Sequence, residues 1–249
     1  MRGYESWMYG DRIADLYDQW YAERPDTAGT VRRLAELAEL AGPGPVLELG
    51  IGTGRVALPL AARGIDVRGI EVSEAMVARL RAKPGGQAIP VTVGDFGEVG
   101  VEGSFALVFA VFSTFFSLVS QEAQVRCFAG VARHLTPDGL FVLQAFVLDP
   151  ARFTRNQGLA VAAVEADRVL LEATLLDPAE QRLSAQHVLV SQAGLRLVPV
   201  SIRYAWPSEL DLMARLAGMR LRERTADWQG SPFTASSAGH VSVYELAPD

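Results

Sequence analysis

Three carboxylates and three glycines carry the most specific chemistry in the chain. Glu48 stands just before "GIGTG", in which Gly50, Gly52 and Gly54 alternate with Ile51 and Thr53; Glu71 and Asp95 follow in "RGIEVS" and "VTVGDF". A glycine-rich turn between a strand and its helix lets backbone amides come close to a ligand, and the helix N-terminus favours negative charge there. Two phosphate-binding motifs of this kind do not fit: the sixth position of a G-x-G-x-x-G fingerprint is Arg55, and no Gly-Lys-Ser/Thr ending follows the glycines. An acid immediately before the glycines would repel a pyrophosphate but suits a cationic ligand. Glu71, about 20 residues past the glycines, stands where a carboxylate accepts bonds from both hydroxyls of a ribose. Asp95 stands where one accepts a bond from the exocyclic amine of adenine.

These groups converge only if each lies at the C-terminal end of a parallel strand, the crevice where open α/β sheets bind ligands. The pattern provides such strands. Val31, Leu34, Ala38 and Ala41 form a helical stripe ended by "GPGP", and a strand starts at Val46. "VALPLAARG" then reads as a helix closed by Gly64, "DVRGIEV" as a strand, "SEAMVARLRAK" as a helix begun at Ser73 and "PVTVGDF" as a third strand. "FALVFAVF" is apolar throughout, as a central parallel strand should be; "QEAQVRCFAGVARHL" is helical, and "GLFVLQAFV" is a fifth strand. From about 158 to 205 the rhythm changes to four extended segments joined by "DR", "DPAEQ" and "QAG", an antiparallel meander. "PSELDLMARLAGM" returns to helix, and "RLRERTADW" and "HVSVYEL" supply two last strands. The expected fold is α/β: a doubly wound sheet with an antiparallel sheet inserted after strand five. The expected divisions are an N-terminal helical lid over 1–26, a ligand-binding domain over 27–150 and 206–249, and the inserted sheet over 151–205.

Composition narrows the partners. The 249 residues are 49% apolar and 21% charged, with a formal net charge of −6, which argues against a broad nucleic-acid surface. The single cysteine, Cys127, rules out an internal disulfide and cannot make a metal site alone. The N-terminus has no signal-peptide core, and the most apolar window, 105–119, is shorter than the roughly 20 residues of a membrane span. A cytoplasmic protein with no membrane partner, monomeric or homodimeric, is the expectation.

"VLELGIGTGR", "GIEVSEAM", "VGDF" and "LTPDGLFVL", in this order, resemble the motifs of class I S-adenosylmethionine-dependent methyltransferases over roughly 46–147. That resemblance implies a Rossmann-like sheet of seven strands whose seventh, "HVSVYEL", runs antiparallel between the fifth and sixth. It implies S-adenosyl-L-methionine as cofactor and S-adenosyl-L-homocysteine as product, without a metal. Gly50, Gly52 and Gly54 would line the methionine part, Glu71 would bind the ribose, Val72 and Met76 would pack on adenine, and Asp95 with Phe96 would address its edge. Glu48, Arg55 and Val111 complete the implied cofactor set. Strand four departs from the common Phe-Asp opening, with Phe105-Ala106 in its place.

"LYDQWY" before the fold, "FSTFFSLVSQEAQ" after strand four and the late insertion resemble, more loosely, the small-molecule methyltransferases of bacterial natural-product pathways, amino-sugar N-methyltransferases among them. In such enzymes the N-terminal helices close over the cofactor and the inserted sheet covers the acceptor. The expected activity is N-methylation of a small molecule; O- or C-methylation, or a cofactor-binding protein without methyl transfer, are the alternatives. Tyr17, Tyr21 and His187 are candidates for positioning or base catalysis. Phe115, Phe116, Arg203 and Tyr204 are candidates for acceptor binding, whereas His134 and His240 read as structural.

Overall fold

The computed structural model describes residues 1, 3–5, 7–21 and 27–248, so parts of the expected lid, residues 2, 6 and 22–26, lie outside the described residues. Helices α1 (Trp7–Ile13) and α2 (Tyr17–Tyr21) precede α3 (Thr27–Leu40). There follow β1 (Val46–Leu49), α4 (Ala57–Ala61), β2 (Val67–Glu71), α5 (Glu74–Arg81), β3 (Val91–Val93), β4 (Phe105–Ala110), α6 (Gln121–His134) and β5 (Leu135–Phe146). The inserted strands are β6 (Gln157–Val164), β7 (Arg168–Asp177), β8 (Arg182–Ser191) and β9 (Gly194–Arg203); α7 (Pro207–Leu216), β10 (Met219–Thr225) and β11 (Gly239–Leu246) close the chain.

The main sheet has seven strands in the order β10-β11-β5-β4-β1-β2-β3, and the insertion forms a separate sheet in the order β6-β7-β8-β9. β1 to β5 run parallel to one another, whereas β11 is antiparallel to both β5 and β10, as the class I resemblance implied. Every residue of β4 is buried, because helices cover both of its faces. Its Ala106 packs against Gly44, where even a Cβ on the glycine would lie only 3.2 Å from the Ala106 Cβ. That tight approach leaves little room for the aspartate common at this position.

On one face of the sheet an aromatic cluster forms the core. Phe128 of α6 meets Phe115, Phe141 and Tyr244 edge-on at ring-centroid distances of 5.4, 5.2 and 5.5 Å, each contact adding about 0.5–1.5 kcal/mol beyond area burial. Phe116 meets Phe146 in the same way at 5.2 Å. Phe115 and Phe116 are 1% and 0% exposed, so they belong to this core and not to an acceptor rim. The reason is local: Phe112 and Ser113 have φ of 55° and 64°, and the 3-10 turn Thr114–Ser117 that follows swings both rings inward. No helix of the described residues is long and apolar enough to cross a membrane.

Arg203 and Tyr204 also belong to the framework. Arg203 is buried at the end of β9, where Nη2 meets Glu209 Oε1 of α7 at 2.7 Å and Nη1 donates to Gln124 Oε1 of α6 at 2.6 Å. Tyr204 is buried beside it, with its ring edge-on to Trp206 at 5.9 Å. The pair fastens the inserted sheet to the main domain instead of facing an acceptor. Arg203→Ala would strand the Glu209 charge and is expected to cost about 3–5 kcal/mol in urea unfolding, with S-adenosylhomocysteine affinity unchanged in the folded fraction. An unchanged unfolding midpoint would contradict the structural assignment.

Candidate cofactor and acceptor site

A single cavity of about 550 Å³ runs from the C-terminal ends of β1 and β2 to the inserted sheet, bounded by Gly50, Gly52, Glu71 and Met76 at one end and by Val200 and Ile202 at the other. The glycine turn is shaped by positive φ: 73° at Gly50 and 56° at Gly52. A Cβ on Gly50 would meet Thr114 Cγ2 at 2.4 Å, while one on Gly52 would project into open space. The first glycine admits the neighbouring turn, and the second leaves backbone bare to the cavity. Gly54 does neither; a Cβ there would strike Leu80 at 2.3 Å, so it lets α5 pack close to the turn.

Glu71 braces the turn. Its Oε2 accepts the Gly52 N–H and its Oε1 the Ser73 N–H, both at 2.9 Å. Burial nevertheless raises its pKa, because the two backbone bonds offset only part of the desolvation cost. Glu48, at the end of the neighbouring strand, is more extreme. Its side chain is buried, its Oε2 has no hydrogen-bond partner among the described residues, and desolvation drives its pKa well above the ordinary carboxylate value, against the opposing pull of Arg55. An orphaned acid deep beside an open backbone cradle fits a cationic ligand, and the nearby Glu71 fits a ribose. On these two observations the residues present suit S-adenosylmethionine.

The other walls come from elements outside the sheet. Tyr9, Gly10, Tyr17 and Tyr21 bring α1 and α2 to the cavity. Tyr17 and Tyr21 stack at 4.7 Å in a tilted arrangement, and Tyr21 exchanges a hydroxyl hydrogen bond with Tyr9 at 3.1 Å. Burial pushes the Tyr17 hydroxyl up to about 12, so it remains neutral at physiological pH and cannot serve as an anionic base. The Arg55 guanidinium lies 3.4 Å from the Phe112 ring centroid, a cation-π contact that fixes it at the cavity wall. Phe112 and Ser113 hold their left-handed backbone through β5: the Phe112 N–H donates to the Gln144 side chain, and the Ser113 hydroxyl accepts the Phe146 N–H at 3.1 Å.

Of the residues singled out from the chain, Tyr17, Tyr21, His187, Gly50, Gly52, Arg55, Glu71, Val72, Met76 and Phe96 line the cavity. Glu48, Gly54 and Val111 are not among the lining residues: Glu48 is buried within β1 and Val111 in the core at the end of β4. Asp95 is exposed two residues beyond β3, where its Oδ1 accepts the Gly97 N–H at 2.8 Å. The structure thus brings Phe96 to the cavity and shows Asp95 shaping the turn that carries it. His134 and His240 are structural: the His134 ring nitrogens lie 2.8 and 2.9 Å from the carbonyls of Gly130 and Val101, and His240 Nδ1 is 2.8 Å from the Ser242 hydroxyl. Tyr4, Tyr9, Gln144, Glu172 and Ser201 also line the cavity without having stood out in the chain. Gln144 and Glu172 are polar residues within otherwise apolar strand runs, which is the signal that marks them.

The raised pKa of Glu48 sets a pH dependence. The native state holds a proton that the unfolded chain releases near the ordinary value of 4.5, so this residue's contribution to stability falls as pH rises above that value. Glu48→Gln is therefore expected to raise the melting temperature of ligand-free protein at about pH 7, by about 2–4 °C for each kcal/mol relieved. Its advantage should vanish as pH falls through the ordinary carboxylate range. A lower melting temperature for the variant at neutral pH would contradict the burial argument.

The comparisons agree with this geometry. A family model described as "Methyltransferase domain" matches residues 46–139. The chain is 28% identical to the cypemycin N-terminal methyltransferase of a Streptomyces species over 96% of its own length and 97% of that protein's. It is 25% identical to the dTDP-4-amino-2,3,4,6-tetradeoxy-D-glucose N,N-dimethyltransferase of Saccharopolyspora spinosa over 76% and 77% of the two chains. Among solved structures, the CcbJ methyltransferase of Streptomyces caelestis superposes with a TM-score of 0.88 at 43% identity, covering 98% of this chain and all of that one. With a relative that similar end to end, and with the glycine turn, Glu48 and Glu71 arranged as described, the chain belongs to the S-adenosylmethionine-dependent methyltransferases.

Proposed function

We propose that this methyltransferase acts on a small natural-product intermediate and transfers the methyl group to an amine nitrogen. The observation that carries the reading is the continuity of the cavity, whose volume of about 550 Å³ lies in the range of small-molecule sites. It joins the glycine turn to the inserted sheet. N-methylation is favoured by the activities of two relatives, an N-terminal methyltransferase and an amino-sugar N,N-dimethyltransferase.

When bound, the cofactor supplies a methyl group already activated by its sulfonium. The protein's task is then to hold a nucleophile in line with that methyl at about 3 Å and to keep water out. Gly50 and Gly52 would present backbone to the amino-acid end, where Arg55 would meet its carboxylate and Glu48, protonated in the ligand-free protein, would ionise only against its ammonium. Glu71 receives the ribose, while Val72, Met76 and Phe96 enclose the adenine, and Asp95 sets the turn bearing Phe96. Tyr17 and Tyr21 close the site from α2, and their ring faces favour the positive sulfonium. His187 and the inserted sheet wall the acceptor end.

Incubation with methyl-labelled S-adenosylmethionine and a panel of amino sugars, peptide N-termini and aliphatic amines, read by mass spectrometry, tests the proposal. Label on nitrogen together with S-adenosylhomocysteine is the expected result. Label on oxygen or carbon of a matched alcohol or enol, with amines unreacted, would overturn it.

A further inference from the structure

A carboxylate and an imidazole face each other on the inner face of the inserted sheet. On β7 and β8, Glu172 and His187 are direct cross-strand partners, flanked on the same face by the pairs Leu170–Leu189 and Thr174–Ala185. His187 Nε2 lies 3.2 Å from Glu172 Oε2, and the Thr174 hydroxyl is 3.4 Å from Glu172 Oε1. The imidazole is the more enclosed member, its side chain 15% exposed against 41% for the carboxylate. Both residues line the cavity, as do Val200 and Ile202 of the same sheet.

The remaining charges of the cavity wall are already engaged. Glu71 is tied to the amides of Gly52 and Ser73, and Arg55 is stacked on Phe112. Among the described residues no lysine or arginine pairs with Glu172. Glu172 is thus the acid that the inserted sheet places on the cavity wall, bonded by His187 and Thr174 and acted on by the Arg152 charge, with two bonds made of the roughly four that a carboxylate can accept. Its hydrogen bond from His187 holds the carboxyl below the usual range, which keeps it charged at neutral pH despite partial burial.

We propose that Glu172, oriented by His187, anchors the acceptor through an N–H of a basic amine, so that the acceptor class is an aliphatic amine and not a phenol, amide or carboxylic acid. A carboxylate matches an amine that is cationic in water through a charge-assisted bond and repels an acid. Transfer needs the neutral amine, so the bound ammonium first gives one proton to solvent; an N–H still donated to Glu172 then leaves the freed lone pair to turn toward the methyl group. His187 is a positioning residue here: donating Nε2–H to the carboxylate fixes its direction, and the ring's edge-on contact with Trp20 at 6.2 Å limits the ring's rotation.

This inference rests on the N-methylation reading, and its test separates the two. Protein saturated with S-adenosylhomocysteine is melted in the presence of cyclohexylamine, cyclohexanol or cyclohexanecarboxylate. The expected result is stabilisation by the amine above that by the alcohol, none by the acid, and at least tenfold weaker apparent affinity for the amine in Glu172→Gln with the S-adenosylhomocysteine shift intact. His187→Gln, whose amide can still donate to the carboxylate, should retain more of the amine effect than His187→Leu. An equal amine response in Glu172→Gln, or no amine response in wild-type protein that binds S-adenosylhomocysteine normally, overturns the anchor. Absence of any S-adenosylhomocysteine shift in folded wild-type protein overturns the underlying site as well.

Discussion

Glu48 is kept where water does not reach it and where one of its oxygens has no partner. A carboxylate so placed opposes folding unless it stays protonated or meets a positive charge. The surrounding structure is arranged around that unfavourable acid. β1 is buried at every position and delivers Glu48 to the sheet's C-terminal edge, and the glycine turn follows immediately. Glu71 ties that turn down from β2, and α5 starts beside it with Ser73 as its N-cap. On the proposed reading, the stability given up at Glu48 is the counterpart of affinity for a cationic ligand, the usual relation between strain in a site and its function.

Pieces remote in sequence are held to this centre by polar contacts of the N-terminal segment. Asp11 accepts the Ser73 hydroxyl at 2.5 Å, Asp18 accepts the Thr53 hydroxyl at 2.6 Å and Lys83 at 2.8 Å, and Asp15 pairs with Arg196 of β9 at 2.7 Å. Those three aspartates connect α5, the glycine turn and the inserted sheet. Gly10 allows the closest of these approaches, since a Cβ there would lie 2.5 Å from that of Ser73. The N-terminal segment and the inserted sheet are thus joined to one another as well as to the main domain, and the cavity lies between them.

The sheet was legible because its signals are local. Apolar runs, glycine turns and the N-cap Ser73 each report their own element, and the reversal of β11 followed from a motif resemblance instead of from periodicity. The grouping of the candidate cofactor residues was legible for the same reason: Gly50, Gly52, Glu71 and Met76 lie within 27 residues of one another and reach the cavity directly from strand ends. The acceptor half was not. Phe115 and Phe116 suit acceptor binding by type, but a left-handed pair at Phe112 and Ser113, neither of them glycine, redirects the chain just before them. Arg203 faces inward because Glu209 and Gln124 wait there, partners 6 and 79 residues away that no local pattern links. Glu172 gains meaning only from its register with His187 across a hairpin.

The central claim is that the glycine turn and Glu71 together form the cofactor site. It is tested most directly by calorimetric titration of S-adenosylmethionine and S-adenosylhomocysteine into the wild-type protein and into Glu71→Ala. Micromolar binding of both ligands, weakened at least tenfold by the substitution and so by about 1.4 kcal/mol or more, is the predicted result. Binding of equal strength in the folded variant, or no binding to folded wild-type protein, would contradict it.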